Sequence, residues 1–185
     1  MKDAPDLFRS GGNGRAMDVA GRSEQWVGDQ LGRLTDEYGS ESVHQASWAV
    51  PAERYDRIAD VAVDERAAAG VRVTNDDDEV LLVRNRRDEW AAPRGRIDPD
   101  ESLEEGAIRN VREATGIDCT IDGVERISMV GVGDETDRDR SSIYCLVVLF
   151  VGSCGADERV DPADGPVRWR RSSPTDGIDP GVLAI

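Results

Sequence analysis

The spacing of apolar residues changes period several times along the 185-residue chain, and each change marks an element. In "SEQWVGDQLGRLTDEYG" (23–39), Trp26, Val27, Gln30, Leu31 and Leu34 recur at helical spacing, and Gly39 is a natural stop. Such a helix packs on the rest of the chain or on a partner. Residues 40–66 are ambiguous and fit a short strand, a helix, or both. From there the pattern sharpens. "AAGVRVTN" (68–75) and "EVLLVRNR" (79–86) are strand-like runs joined by an acidic turn at 76–78, which predicts a hairpin. A helix follows at about 103–114, then one or two strands in 118–133 and a polar loop at 134–142. The apolar run "IYCLVVLFV" (143–151) predicts a buried strand, and "GPVRWRRSS" (165–173) a last one. Strands around one central helix, with further helices outside, predict the α/β class: an α/β sandwich with a mixed β-sheet. The expected organisation is a flexible tail at 1–22, an N-terminal helical extension at 23–65 and a main domain at 66–185.

The central helix carries the most local detail. Ser102 followed by Glu105 is a capping box, in which each residue covers a free backbone N–H of the other. Leu103, Ala107, Ile108, Val111 and Thr115 form an apolar stripe, and Gly116 sits where a helix ends in a left-handed residue. Asn110, Glu113 and Ala114 are related by i, i+3 and i+4 and share a face with Gly106, expected to point away from the stripe. Carboxylates at all three positions would make a compact site for Mg²⁺, a hard cation that prefers oxygen ligands. Only Glu113 supplies one.

Charge narrows the function. Acidic residues outnumber basic ones 38 to 23, for a net charge of −15, and Lys2 is the only lysine. This excludes a general nucleic-acid or membrane-surface binder, because phosphate-rich partners would be repelled. The balance is that of a halophilic protein, whose dense carboxylates are screened by concentrated salt. Cys119, Cys145 and Cys154 have no metal-ligand spacing and read as free thiols, with Cys145 in the core. The N-terminus has no apolar stretch of signal-peptide length, and the longest apolar run is too short to span a bilayer. A cytoplasmic protein is expected. Within the acidic chain, Arg84, Arg86, Arg87, Arg94 and Arg96 form a basic island. Guanidinium pairs grip phosphate oxygens, so Arg94 and Arg96 are the substrate-binding candidates; the alternative is that they neutralise nearby acids. Trp90 and Trp169 are read as packing residues rather than base-stacking ones, and His44 has no nucleophile pattern around it.

Residues 94–117, "RGRIDPDESLEEGAIRNVREATGI", resemble the box of the Nudix hydrolase family (MutT-like), G-x5-E-x7-R-E-U-x-E-E-x-G-U with U aliphatic. The matches are Gly95, Glu101, Arg109, Val111, Glu113, Gly116 and Ile117, without insertion. "EVLLVRN", "W…P-R-G" and "VRW" add to the resemblance, which spans about residues 66–172. It implies a Nudix-like α/β/α sandwich and cleavage of a nucleoside-diphosphate-linked substrate with Mg²⁺ or Mn²⁺. Glu113 would be the catalytic residue. Glu113, Asn110 and the backbone carbonyl of Gly95 would be the metal ligands, and Glu101 with Arg109 a supporting ion pair. Ser102 and Glu105 are structural.

The box is degenerate, because Asn110 and Ala114 stand where the family has glutamates. The resemblance therefore implies a hydrolase with a depleted metal site. The alternative is a catalytically inactive Nudix-fold module for nucleotide or phosphate binding or regulation. Asp134, Glu135, Asp137 and Asp139 lie where some members place an extra ligand, and are expected instead on the solvated surface. The expected partners are a small nucleotide or other diphosphate, and a second copy of the chain through the N-terminal helix.

Overall fold

The computed structural model describes residues 11–39, 43–61, 67–85, 88–155 and 167–171. Helix α1 spans Gly11–Tyr38, followed by β1 (Val43–Val50), α2 (Ala52–Val61), β2 (Ala67–Thr74) and β3 (Val80–Arg84). Then come β4 (Trp90–Ala91), β5 (Arg94–Arg96), α3 (Leu103–Thr115), β6 (Thr120–Asp134), β7 (Ile143–Ser153) and β8 (Val167–Arg170). The strands form one sheet in the order β1-β6-β7-β2-β3-β4, with β5 added to β2 and β8 to β3. It is mixed: β1 runs parallel to β6 and β2 to β7, while the other pairs are antiparallel.

Period-two alternation in β7 divides the core between two layers of helix. Leu146, Val148 and Phe150 join a large cluster with Val27 and Leu34 of α1 and Leu103, Ala107 and Val111 of α3. Ile143 and Val147 join a second cluster with Tyr55 and Ile58 of α2. The expected α/β/α sandwich with a mixed sheet is thus the fold observed.

One expectation changes and two open readings are resolved. Residues 11–22, expected as tail, form the first turns of α1, while 1–10 lie outside the described residues. The ambiguous stretch holds both a strand and a helix. β1, inside the expected helical extension, pairs along its whole length with β6, from Val43↔Ile127 to Val50↔Asp134. A strand whose backbone groups are satisfied by a neighbour belongs to that sheet whatever its sequence distance. The region 118–133 carries one strand rather than two, because bulges at Ile121/Gly123 and Val124/Arg126 bend β6 without breaking it.

The apolar stripe of α1 is buried in the chain's own core, with Val27 and Leu34 both 0% exposed. Arg33 makes a two-pronged ion pair with Glu104 of α3 at 3.0 and 3.1 Å, and the Tyr38 hydroxyl donates to the same carboxylate at 3.3 Å. Gly39, at φ +92°, closes the helix by donating to the Thr35 carbonyl.

Candidate functional site

α3 starts and stops as its sequence dictates. Ser102 has extended backbone (φ −72°, ψ 161°), and its hydroxyl accepts from the Glu105 N–H at 3.1 Å. Glu105 accepts from the Ser102 N–H at 3.0 Å, which holds its carboxyl below the usual range. Gly116 ends the helix at φ +74°. Leu103, Ala107 and Val111 are buried, while Ile108 and Thr115 are half-buried at the stripe's margin.

The supposed ligand face is divided. Glu113 and Ala114 are exposed, but Gly106 and Asn110 are buried, the latter at 8% exposure. They turn toward the loop that precedes the helix. A methyl at Gly106 would press on Ile97 and Glu101, and one at Gly95 would lie 2.6 Å from Asn110 Oδ1. The expectation that this whole face points outward is therefore corrected: half of it is the seat on which β5 and its loop rest.

Asn110 holds that seat. Its Nδ2 donates to the Ala69 carbonyl of β2 at 3.1 Å and to the Arg96 carbonyl of β5 at 3.3 Å. Its Oδ1 accepts from Arg109 Nη1 at 3.3 Å. Two carbonyls on one side and a guanidinium on the other fix the amide orientation, since only the NH₂ end can donate. A carboxylate in this position would face two backbone oxygens with nothing to give them.

Arg109 organises the remaining polar groups. It makes a bidentate pair with Glu101, Nε to Oε1 at 2.6 Å and Nη2 to Oε2 at 2.8 Å, and donates to the Arg96 carbonyl at 3.1 Å. It also reaches Glu113 at 3.3 Å and lies 3.6 Å from Asp98. The Glu101 carboxyl is held below its ordinary value by the Arg109 guanidinium, and Arg109 is raised by the same contact.

These residues do not fit Mg²⁺ or Mn²⁺. Such ions need a near-octahedral set of oxygens, several of them charged. Ala114 has no donor atom. Asn110 spends its nitrogen on the backbone and its oxygen on Arg109. Glu113 alone is a carboxylate on the exposed side, and it is already paired. Among the described residues no group of three or more His, Cys, Asp or Glu side chains could hold a metal ion. The acidic loop does not supply one. Asp134, expected on the surface, is buried: its carboxylate accepts from the Thr136 hydroxyl and N–H at 2.7 and 2.8 Å and from Arg140 at 3.0 Å. These bonds hold its carboxyl below the ordinary value.

The arginine candidates lie elsewhere. Antiparallel partners share a sheet face. Arg94 pairs with Gly70 and Arg96 with Ala68, whereas Gly95 pairs with Ala69. Gly95 therefore looks toward α3, and Arg94 and Arg96 leave from the opposite face. The contact at Gly70 agrees, since a methyl there would meet the Arg94 Cβ at 2.5 Å. Arg86 and Arg87 lie outside the described residues.

Sequence reasoning missed Arg168. Its guanidinium carbon stacks 3.4 Å from the Trp90 ring centroid, with that of Arg84 at 5.2 Å. Arg84 pairs with Trp90, Arg168 with Leu82 and Arg170 with Val80, so all four side chains share one face. The alternation in "VRWR" was the available signal. Trp169, between the two arginines, packs against the large cluster on the other side. His44 is exposed on β1. The Arg33–Glu104–Tyr38 cluster was also missed, because it joins residues 66 and 71 positions apart.

A family model described as the NUDIX domain matches residues 64–181. "Putative nudix hydrolase 1" of Caenorhabditis elegans is 34% identical over 113 residues, covering 59% of this chain and 28% of that protein. Human "Diphosphoinositol polyphosphate phosphohydrolase 2" is 32% identical over 90 residues, 47% of each chain. The chain thus spans less than half of either relative. Among solved structures, a C. elegans Ap4A hydrolase superposes with a TM-score of 0.41 at 20% identity, covering 56% of this chain and 77% of that one. Among the described residues no helix is long and apolar enough to cross a membrane.

Proposed function

The chain belongs to the Nudix family, and from that premise we propose that it binds a small molecule with linked phosphates and does not hydrolyse it. One observation carries the proposal: the Asn110 amide donates to the Ala69 and Arg96 carbonyls. The position that the box resemblance gives to a metal-binding carboxylate is occupied by a buried donor that ties α3 to the sheet. The phosphate class is supported by a relative whose name is that of a phosphohydrolase of diphosphoinositol polyphosphates, and by arginines gathered on one sheet face of a chain whose net charge is −15. Arg94 and Arg96 serve here as phosphate ligands. The protein works in the cytoplasm, and a homodimer through α1 would use its polar face, since its apolar stripe is buried.

The second reading is the metal-dependent hydrolase, favoured by one feature: Glu113 keeps an exposed carboxylate on α3, with a side chain 65% accessible. The experiment separates the two. Native protein and the Asn110→Glu/Ala114→Glu double variant are incubated in high salt with Mg²⁺ or Mn²⁺ and a panel of nucleoside diphosphate and diphosphoinositol compounds. A silent native chain that binds at least one of them by calorimetry supports the module. Native turnover abolished by Glu113→Gln overturns it in favour of the hydrolase.

A further inference from the structure

The face formed by β3, β4 and β8 collects cations against the chain's prevailing charge. Arg84 and Arg168 flank Trp90, and Arg170 lies on the same side of the sheet, two residues along β8 from Arg168. Within this group Arg84 has a carboxylate partner, Asp88 at 2.5 Å, whose side chain is 74% exposed. Arg168 lies against the indole, and its Nε is buried with no hydrogen-bond partner among the described residues. Burial and repulsion from Arg170 and Arg84 lower its proton affinity. The buried Nε is out of a ligand's reach, but the repulsion among the three guanidinium groups is a cost that an anion on this face would offset. An anion accepts hydrogen bonds and separates the like charges at once.

The indole then takes on a different role from that of a base-stacking platform. At 3.4 Å the Arg168 guanidinium already occupies a ring face, and Arg84 lies 5.2 Å from the same centroid. Cation–π contact is a reason for arginine to stay there. Trp90 therefore orients a cation, and a nucleobase would have to displace it to stack.

We propose that this face is a binding site for a condensed phosphate chain, recognised by charge through Arg84, Arg168 and Arg170, with no nucleobase read. The inference rests on the phosphate-binding reading above and narrows it: the ligand's specificity resides in its linked phosphates. The ladder places Arg94 on the same broad face, through Gly70 and Thr74↔Val80, with the Arg72–Glu125 ion pair between it and the Trp90 cluster.

The test is calorimetry on the full chain with inorganic tripolyphosphate, ATP and adenosine as probes. The variants are Arg170→Gln, at an exposed position that carries little folding risk, and Arg168→Gln, with circular dichroism to check the fold. Tripolyphosphate and ATP should bind within about threefold of each other, adenosine should not bind, and each variant should weaken both phosphates by about tenfold, the loss of one charge-assisted contact. ATP binding ten times or more tighter than tripolyphosphate would overturn this inference and leave the module reading standing. Undiminished binding in a folded Arg170→Gln and Arg168→Gln would also overturn it, by moving the phosphates elsewhere. No binding of either phosphate would overturn this inference, and the module reading would then rest on the nucleoside diphosphate and diphosphoinositol panel.

Discussion

A single amide at position 110 ties the box helix to the sheet. Its NH₂ satisfies the Ala69 and Arg96 carbonyls, and its oxygen lies so close to Gly95 that a methyl there would sit 2.6 Å away. Gly95 is required by proximity rather than by unusual backbone. Two substitutions test this fit. Gly95→Ala should cost about 2 kcal/mol through overpacking. Asn110→Ala should cost about 1–3 kcal/mol by leaving buried carbonyls short of a donor. Together they should cost about 1 kcal/mol less than their sum, because removing the amide clears room for the methyl. Urea denaturation of the four proteins gives the coupling, and strict additivity would mean that residues 95 and 110 do not share this space.

At the scale of elements, α3 is held by its caps, its buried stripe and two sets of ion pairs. Ser102→Ala should destabilise by about 1 kcal/mol, as for other N-caps, measured by thermal or urea melts. The Glu101 and Glu105 carboxyls both titrate lower in the folded chain than their ordinary 4.5. The stability they add is complete above that value and is lost as pH falls through their lower folded values. Glu101→Gln should therefore flatten the acid limb of the stability profile, and an unchanged limb would assign it to other carboxylates. At the α1–α3 junction the Tyr38 hydroxyl is pushed up to about 12, first by burial and then by the charge of Glu104. Because the folded value is the higher one, the stability linked to it is present at neutral pH and is lost as pH rises from 10 toward 12. Glu104→Gln should bring the Tyr38 titration down without reaching 10.0, since burial remains. Phenolate absorbance during alkaline titration reads this directly, and a return to 10.0 would place the cause in the carboxylate alone.

At the scale of the molecule, a net charge of −15 on 185 residues repels itself. The Debye length shrinks from about 10 Å at 0.1 M salt to about 3 Å at 1 M. The melting temperature should rise over that interval, and a flat or falling curve would show that this surface is not adapted to salt. If the proposed phosphate site is correct, the same ions would compete with its ligand at exposed Arg170, and affinity should fall as stability rises. Opposite salt slopes for folding and binding are the signature of an acidic fold with a basic site.

The sequence by itself determined the parts governed by near neighbours. The capping box at Ser102 and Glu105, the stop at Gly116, the stripe through Leu103, Ala107 and Val111 and the buried run of β7 follow from contacts a few residues apart. The box spacing also placed Glu101 within reach of Arg109, two turns along one helix and its entry loop. Tertiary structure decided the rest. Helical periodicity could relate residues 110, 113 and 114, but not say that β5 would cover the first and leave the others in solvent. Strand alternation could pair Arg94 with Arg96, but the register against Ala68 and Gly70 put them on the face away from α3. The union of Arg168 with Trp90, and of Arg33 with Glu104, depends on which strands and helices become neighbours. That choice is made by burial of the whole core, a sum over distant residues that no local pattern contains.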